Sequence, residues 1–134
     1  MEVRAYQKMV RLSPRKLQLV ADSVRHLPPQ QALTSLRFMN KHGAVFLAKV
    51  LKQALSNATN NHNLAAATLK IKHIYIEAGP TLKRWQAVSR GRGHEILKRT
   101  SHIKVILEST ASSLPTTVKR EVKAVAGRPK AKGE

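Results

Sequence analysis

Six histidines, seven carboxylates and 25 lysines and arginines are the side chains of this 134-residue chain that could do chemistry. The histidines, His26, His42, His62, His73, His94 and His102, are scattered. No pair has the spacing of a zinc motif such as HExxH. The acids form no local pair for acid–base work. His94 and Glu95 are neighbours, and neighbours in a strand point to opposite faces. Gly91 and Gly93 lack the third glycine and the Lys-Ser/Thr of a phosphate loop. The absence of cysteine removes disulfides, thiolate nucleophiles and cysteine zinc sites together. The expectation is a non-enzyme with no metal, no cofactor and no small-molecule substrate.

What remains is charge. The formal net charge is +18. A free chain so unbalanced repels itself and calls for a polyanion, whether nucleic acid, acidic membrane or acidic protein. Its hydrophobic content of 42% suffices for a core, so it is not simply a disordered polycation. No apolar run approaches the roughly 20 residues of a membrane helix. Met1-Glu2-Val3-Arg4 begins no apolar signal core. No helical pattern joins a basic face to exposed Trp or Phe, as a membrane-surface helix does. A soluble, intracellular protein with a nucleic-acid partner and no membrane is expected. Aromatic residues make up only 4% of the chain. That counts against stacking single-stranded bases on several exposed rings.

The cations concentrate in two places. Residues 79–102 hold Lys83, Arg84, Arg90, Arg92, Lys98 and Arg99 against one acid, Glu95. A glycine-containing turn at Gly91 and Gly93 would fold this stretch into a β-hairpin. Arms of about ten residues, at roughly 3.3 Å each, would reach about 30 Å from the body. A two-stranded ribbon alone is marginally stable, so an outside partner is expected to hold it, and phosphates suit its Arg and Lys. The exposed indole of Trp85 also favours a docked arm. The second cluster is Arg11 with Ser13, Arg15 and Lys16. Basic residues at a helix start oppose the usual preference for acids there, a conflict that an external anion would resolve. The residues expected to meet RNA are Arg4, Arg11, Ser13, Arg15 and Lys16 on the body and the six arm cations. Thr100, Ser101 and His102 are weaker candidates, since hydrogen bonding within the hairpin base would equally explain them.

These residues need elements to position them. Alternation over residues 2–10 predicts a strand, with Val3, Ala5 and Met9 on one face and Arg4, Tyr6 and Lys8 on the other. Ser13 as cap, Pro14 at the first turn and a Leu12–Leu17 staple open a helix over about 14–25, with Leu17, Val20, Ala21 and Val24 inward. Pro28-Pro29 precedes a second helix marked by Ala32, Leu33 and Leu36. A third runs from about 41 to 60 with Ala44, Leu47, Ala48, Leu51, Ala54, Leu55 and Ala58 inward. Val45, Phe46 and Val50 widen its apolar face. Asn60-Asn61-His62-Asn63 ends it. Leu69 and Ile71, then Ile74 and Ile76, predict a strand with a bulge at Lys72-His73. A strand over 103–107 should pair with it antiparallel. Residues 1–109 thus read as one body with an arm, and 110–134 as a basic, disordered tail.

Leu12-Ser13-Pro14-Arg15-Lys16, Ala54-Leu55-Ser56-Asn57-Ala58, Glu77-Ala78-Gly79-Pro80-Thr81-Leu82-Lys83-Arg84 and Lys98-Arg99-Thr100-Ser101-His102-Ile103 carry a resemblance. Over about residues 2–108 the chain resembles the bacterial-type family of large-subunit ribosomal protein twenty-two. The resemblance implies an α+β body, with three helices packed on a small three-stranded antiparallel sheet, and a long protruding β-hairpin. It implies binding to large-subunit (23S-type) rRNA across several RNA domains, a part in early subunit assembly, and neighbouring large-subunit proteins, one of them number four. The body would lie near the exit-tunnel mouth of a cytoplasmic ribosome, with an organellar ribosome as the alternative. The hairpin tip, here Leu82, Lys83, Arg84, Trp85, Gln86, Ala87, Val88, Ser89, Arg90, Gly91, Arg92 and Gly93, would line the tunnel wall beside the nascent polypeptide and influence macrolide antibiotics. From charge alone, a free-standing nucleic-acid regulator or RNA chaperone is the alternative. It lacks a base-reading helix rich in Asn, Gln and Arg.

Overall fold

In a computed structural model, which describes residues 1–109, the chain runs β1 (Glu2–Val10), α1 (Pro14–Val24), α2 (Pro29–Phe38), α3 (His42–His62), β2 (Leu69–Ala78), β3 (Leu82–Ala87), β4 (Gly93–Lys98) and β5 (Ser101–Ser109). The tail expected from about 110 lies outside the described residues. The order β1-β5-β2 forms a three-stranded antiparallel sheet, and β3-β4 a separate two-stranded one. The α+β class, the three helices, the small sheet and the hairpin are therefore as expected.

The core lies between the helices and one face of the three-stranded sheet. Leu17, Val20, Ala21 and Val24 of α1 are buried, as their spacing requires. The long helix α3 crosses the sheet and buries Ala44, Leu47, Val50, Leu51, Ala54 and Ala58. From below, β5 supplies Ile103, Val105 and Leu107, all fully buried. Leu12 and Leu17 converge over Gly43 at the start of α3, which is the staple geometry expected. Asn63 ends α3 in the left-handed conformation, with φ at 50°.

Three local expectations need correction. Met9 is exposed, and Val10 takes the buried place. The cause is a bulge: Met9 has φ 54°, and the β1–β5 register shifts between Gln7 and Val10. Ser13 occupies the cap position of α1, yet its hydroxyl makes no capping bond; its carbonyl accepts from Lys16 N at 3.1 Å and Leu17 N at 3.4 Å. Val45 is exposed, because the inward stripe of α3 runs through Ala44 and Leu47. The bulge in β2 falls where the isoleucine phase slips, between Ile71 and His73.

Candidate nucleic-acid interface

The arm begins where the three-stranded sheet stops. Ala78 pairs with Ser101, and Gly79 N–H then donates to Thr100 O at 2.9 Å. Pro80 has no N–H to continue the ladder. The Thr100 hydroxyl closes the gap by donating to Pro80 O at 2.6 Å. Gly79 is required here, since a side chain on it would press on the Thr100 hydroxyl and His102. Ser101 donates its hydroxyl to Leu12 O, which ties the arm's root to the segment entering α1. Thr100 and Ser101 are buried, so both build the hairpin base. His102 accepts a hydrogen bond at Nδ1 from Met9 N–H at 3.0 Å and so holds the β1 bulge.

Beyond the root, β3 and β4 pair from Leu82↔Lys98 to Ala87↔Gly93. Six paired residues per arm make a ribbon of about 20 Å, shorter than ten-residue arms would give. One face carries Arg84, Gln86, His94 and Ile96, the other Lys83, Trp85, Glu95 and Leu97. Trp85, 74% exposed, lays its ring over Gly93, where a Cβ would come within 2.9 Å of the indole. Ser89–Gly91 form one tight turn, with Arg90 at φ 60° and Gly91 at φ 68°.

These junctions bring five of the expected residues together. Arg11, Ser13 and Lys16 from the start of α1 face Lys98 and Arg99 from the end of β4 across an open groove of about 380 Å³. Leu12, Leu82 and Leu97 give it an apolar lining. The first turn of α1 holds no acid. Among the described residues, ion pairs engage Arg4, Arg25, Lys72 and Lys83, and none reaches Arg11, Lys16, Lys98 or Arg99. Four cations and a helix N-terminus thus converge without an internal counter-charge. Such a place attracts an anion with several acceptor oxygens.

The other candidates lie elsewhere. Arg15 is exposed on α1 but outside the groove. Arg4 is on the far face of the sheet, 3.3 Å from Glu2. Lys83 approaches Glu95 at 3.9 Å, and Arg84 donates to the Lys83 carbonyl at 2.7 Å. Arg90 sits in the turn at the tip, and Arg92 follows it. At the sheet's other end Lys72 bridges Glu2 at 2.7 Å and Glu108 at 3.7 Å. The hydrogen bond from Lys72, then that from Arg4, holds the Glu2 carboxyl below its ordinary value. The Glu2 bond, with the nearby charge of Glu108, raises Lys72. Among the described residues no three His, Asp or Glu side chains gather as a metal centre needs.

Comparison with known proteins adds a second line. The family described as ribosomal protein L22p/L17e matches residues 5–108. A protein of Desulfotalea psychrophila named large ribosomal subunit protein uL22 is 50% identical over 108 residues, covering 81% of this chain and 98% of its own. Its namesake in Thermus thermophilus is 49% identical over 107 residues, covering 80% and 95%. That of Mesoplasma florum is 45% identical over 107 residues, covering 80% and 96%.

Proposed function

The chain belongs to the ribosomal protein L22p/L17e family, and from that premise we propose that it is a non-catalytic part of the large ribosomal subunit, binding large-subunit rRNA through the groove at the arm's root and through the arm. One observation carries this reading. Arg11, Lys16, Lys98 and Arg99 converge on one concave surface with no acid among the described residues to answer them. Phosphates from separate RNA segments supply the missing charge. Residues 1–109 form the binding body with its arm, and 110–134 a basic tail. By tying RNA domains together the protein aids early subunit assembly. The body sits near the tunnel mouth. The arm runs inward, and Leu82 to Gly93 line the tunnel wall beside the nascent chain, facing another large-subunit protein. A macrolide bound nearby feels the tip. Family membership favours this account over a free-standing regulator or RNA chaperone.

The test is binding of the full chain to purified large-subunit rRNA over a salt series. Each phosphate contact contributes roughly 0.7 to 0.9 to the log–log salt slope. Lys16→Ala with Arg99→Ala is expected to flatten the slope by about 1.5. Arg15→Ala, outside the groove, is expected to change it less than Lys16→Ala. An unchanged slope in the double variant rules the groove out. The tunnel placement is checked by crosslinking from Trp85 or Arg90 in intact ribosomes; failure to reach either rRNA or nascent chain would refute it.

A further inference from the structure

Among the described residues, the three-stranded sheet has helices on one face only. Its other face gathers rings and cations that lie far apart in sequence. Tyr6, Lys104 and Tyr75 are register partners across β1, β5 and β2, so their side chains form one row on this face. The next row is Arg4, Ile106 and His73. Tyr6 is 40% and Tyr75 44% exposed. The His73 ring lies 5.3 Å from Tyr75, and the His102 ring 6.1 Å from Tyr6. Lys8 stands 5.6 Å from the Tyr6 ring and Lys104 5.8 Å from the Tyr75 ring.

The acids of this face keep to its ends. Glu2 is engaged by Lys72 and Arg4, Glu108 by Lys72, and Glu77 is the register partner of His102. Among the described residues, the two middle rows therefore offer ring faces interleaved with cations, and no carboxylate. Such a surface suits a strand that alternates flat bases with phosphates better than it suits a protein. Neighbouring strands are about 4.8 Å apart, so the two tyrosines flank Lys104 at about 10 Å from each other. Two unpaired bases can lie on the two rings with their linking phosphate over the lysine. The chain's low aromatic content does not oppose this, because the fold collects both of its tyrosines and two histidines on one face.

We propose that this sheet face is a second RNA-binding surface, stacking unpaired bases on Tyr6 and Tyr75 and holding the strand's phosphates on Lys8 and Lys104. It lies on the opposite side of the sheet from the core, separate from the groove and the arm. The inference rests on the rRNA-binding reading above, and it adds the class of partner, a single-stranded segment.

The test uses the full chain and large-subunit rRNA carrying 4-thiouridine. Photo-crosslinked peptides are mapped by mass spectrometry, and affinities are measured at several salt concentrations. Crosslinks at Tyr6 or Tyr75 are expected. Tyr6→Ala with Tyr75→Ala is expected to lower affinity about tenfold or more while leaving the salt slope unchanged. Tyr6→Phe with Tyr75→Phe keeps the rings and is expected to bind as the parent does. Lys8→Ala with Lys104→Ala is expected to reduce the slope by about 1.5. If β1 and β2 give no crosslinks, or the double alanine variant binds as tightly as the parent while groove variants still weaken it, the sheet-face proposal fails and the groove reading stands. If the parent chain shows no salt-dependent rRNA binding, both fail. Circular dichroism of each variant verifies its fold, and the phenylalanine pair separates stacking from the tyrosine hydroxyls.

Discussion

In the three-stranded sheet, β5 places Ile103, Val105 and Leu107 wholly under the helices; in the two-stranded ribbon no residue of β3 or β4 is buried, and only Leu82 and Ile96 are half covered. Both sheets use the same antiparallel hydrogen bonds. Those bonds contribute about the same in each, roughly 1 kcal/mol net or less. The difference is apolar area removed from water, which stabilises the body and is nearly absent in the arm. The body folds on its own side chains, whereas the arm is tied to it through the hydrogen bonds of its root. One chain thus carries a body that buries its own core and an arm that buries almost nothing.

The widest separation between the two is expected from the pair of changes that touch one side each. Leu47, fully buried on α3, cut to alanine should cost about 2–5 kcal/mol of stability. Deleting 84–93 should leave the unfolding free energy of the body within about 0.5 kcal/mol of the parent, since no residue removed is buried. Urea unfolding followed by circular dichroism reads both. A deletion that lost cooperative unfolding would place the arm in the core and erase the distinction.

A smaller effect is expected at the join. Gly79→Ala would push a methyl group against the Thr100 hydroxyl that bonds Pro80 O. The expected cost is about 1–3 kcal/mol. Hydrogen exchange should quicken at the Gly79 amide and through the ribbon while the β1–β5 amides stay protected. If the β1–β5 amides loosened equally, root and body would form one cooperative unit.

How much of this could be read from the residues depends on how far each cause reaches along the chain. The start of α1 follows from Pro14 and the Leu17 stripe, both local, and it lies where the spacing puts it. The β2 bulge shows in the isoleucine phase itself. The β1 bulge does not, because His102 holds it from the other end of the chain by accepting the Met9 N–H. That is why Met9 reads as inward and Val10 is missed. The arm cations could be named from charge. That Lys98 and Arg99 share a groove with Arg11 and Lys16 depends on Ser101 bonding the Leu12 carbonyl, a contact with no local signature. The ring-lined sheet face was invisible for the same reason: Tyr6 and Tyr75 meet only through β5, and a count of aromatic residues says nothing about where they gather.

Within the arm, Trp85 offers a finer probe. Its ring over Gly93 covers the one position of β4 without a side chain. Cross-strand contacts of this kind contribute roughly 0.2–1 kcal/mol. Trp85→Ala should loosen the ribbon by about that amount, seen as faster exchange of the β3–β4 amides, with the urea midpoint of the body unchanged. A shifted body midpoint would mean that the indole supports more than the ribbon.

The smallest effect is expected at the far end of the body, where Lys72 of β2 joins Glu2 of β1 and Glu108 of β5. The Lys72 hydrogen bond holds the Glu2 carboxyl below its ordinary value. Its contribution is therefore fully present above the ordinary glutamate value and is lost as pH falls through the lowered folded value. Lys72 is raised, so its share is present below the ordinary lysine value and is lost as pH rises through the raised one. Between those limits the pair is intact, though its exposure keeps the gain small. A Glu2→Gln variant should melt slightly below the parent at neutral pH, and the gap should close on the acid side. Deleting 84–93 should leave that pH profile unchanged, because the pair belongs to the sheet's end opposite the arm. A gap that persisted in acid would show that Glu2 acts through packing rather than charge, and a profile altered by the deletion would show that the arm's cations reach electrostatically across the whole body.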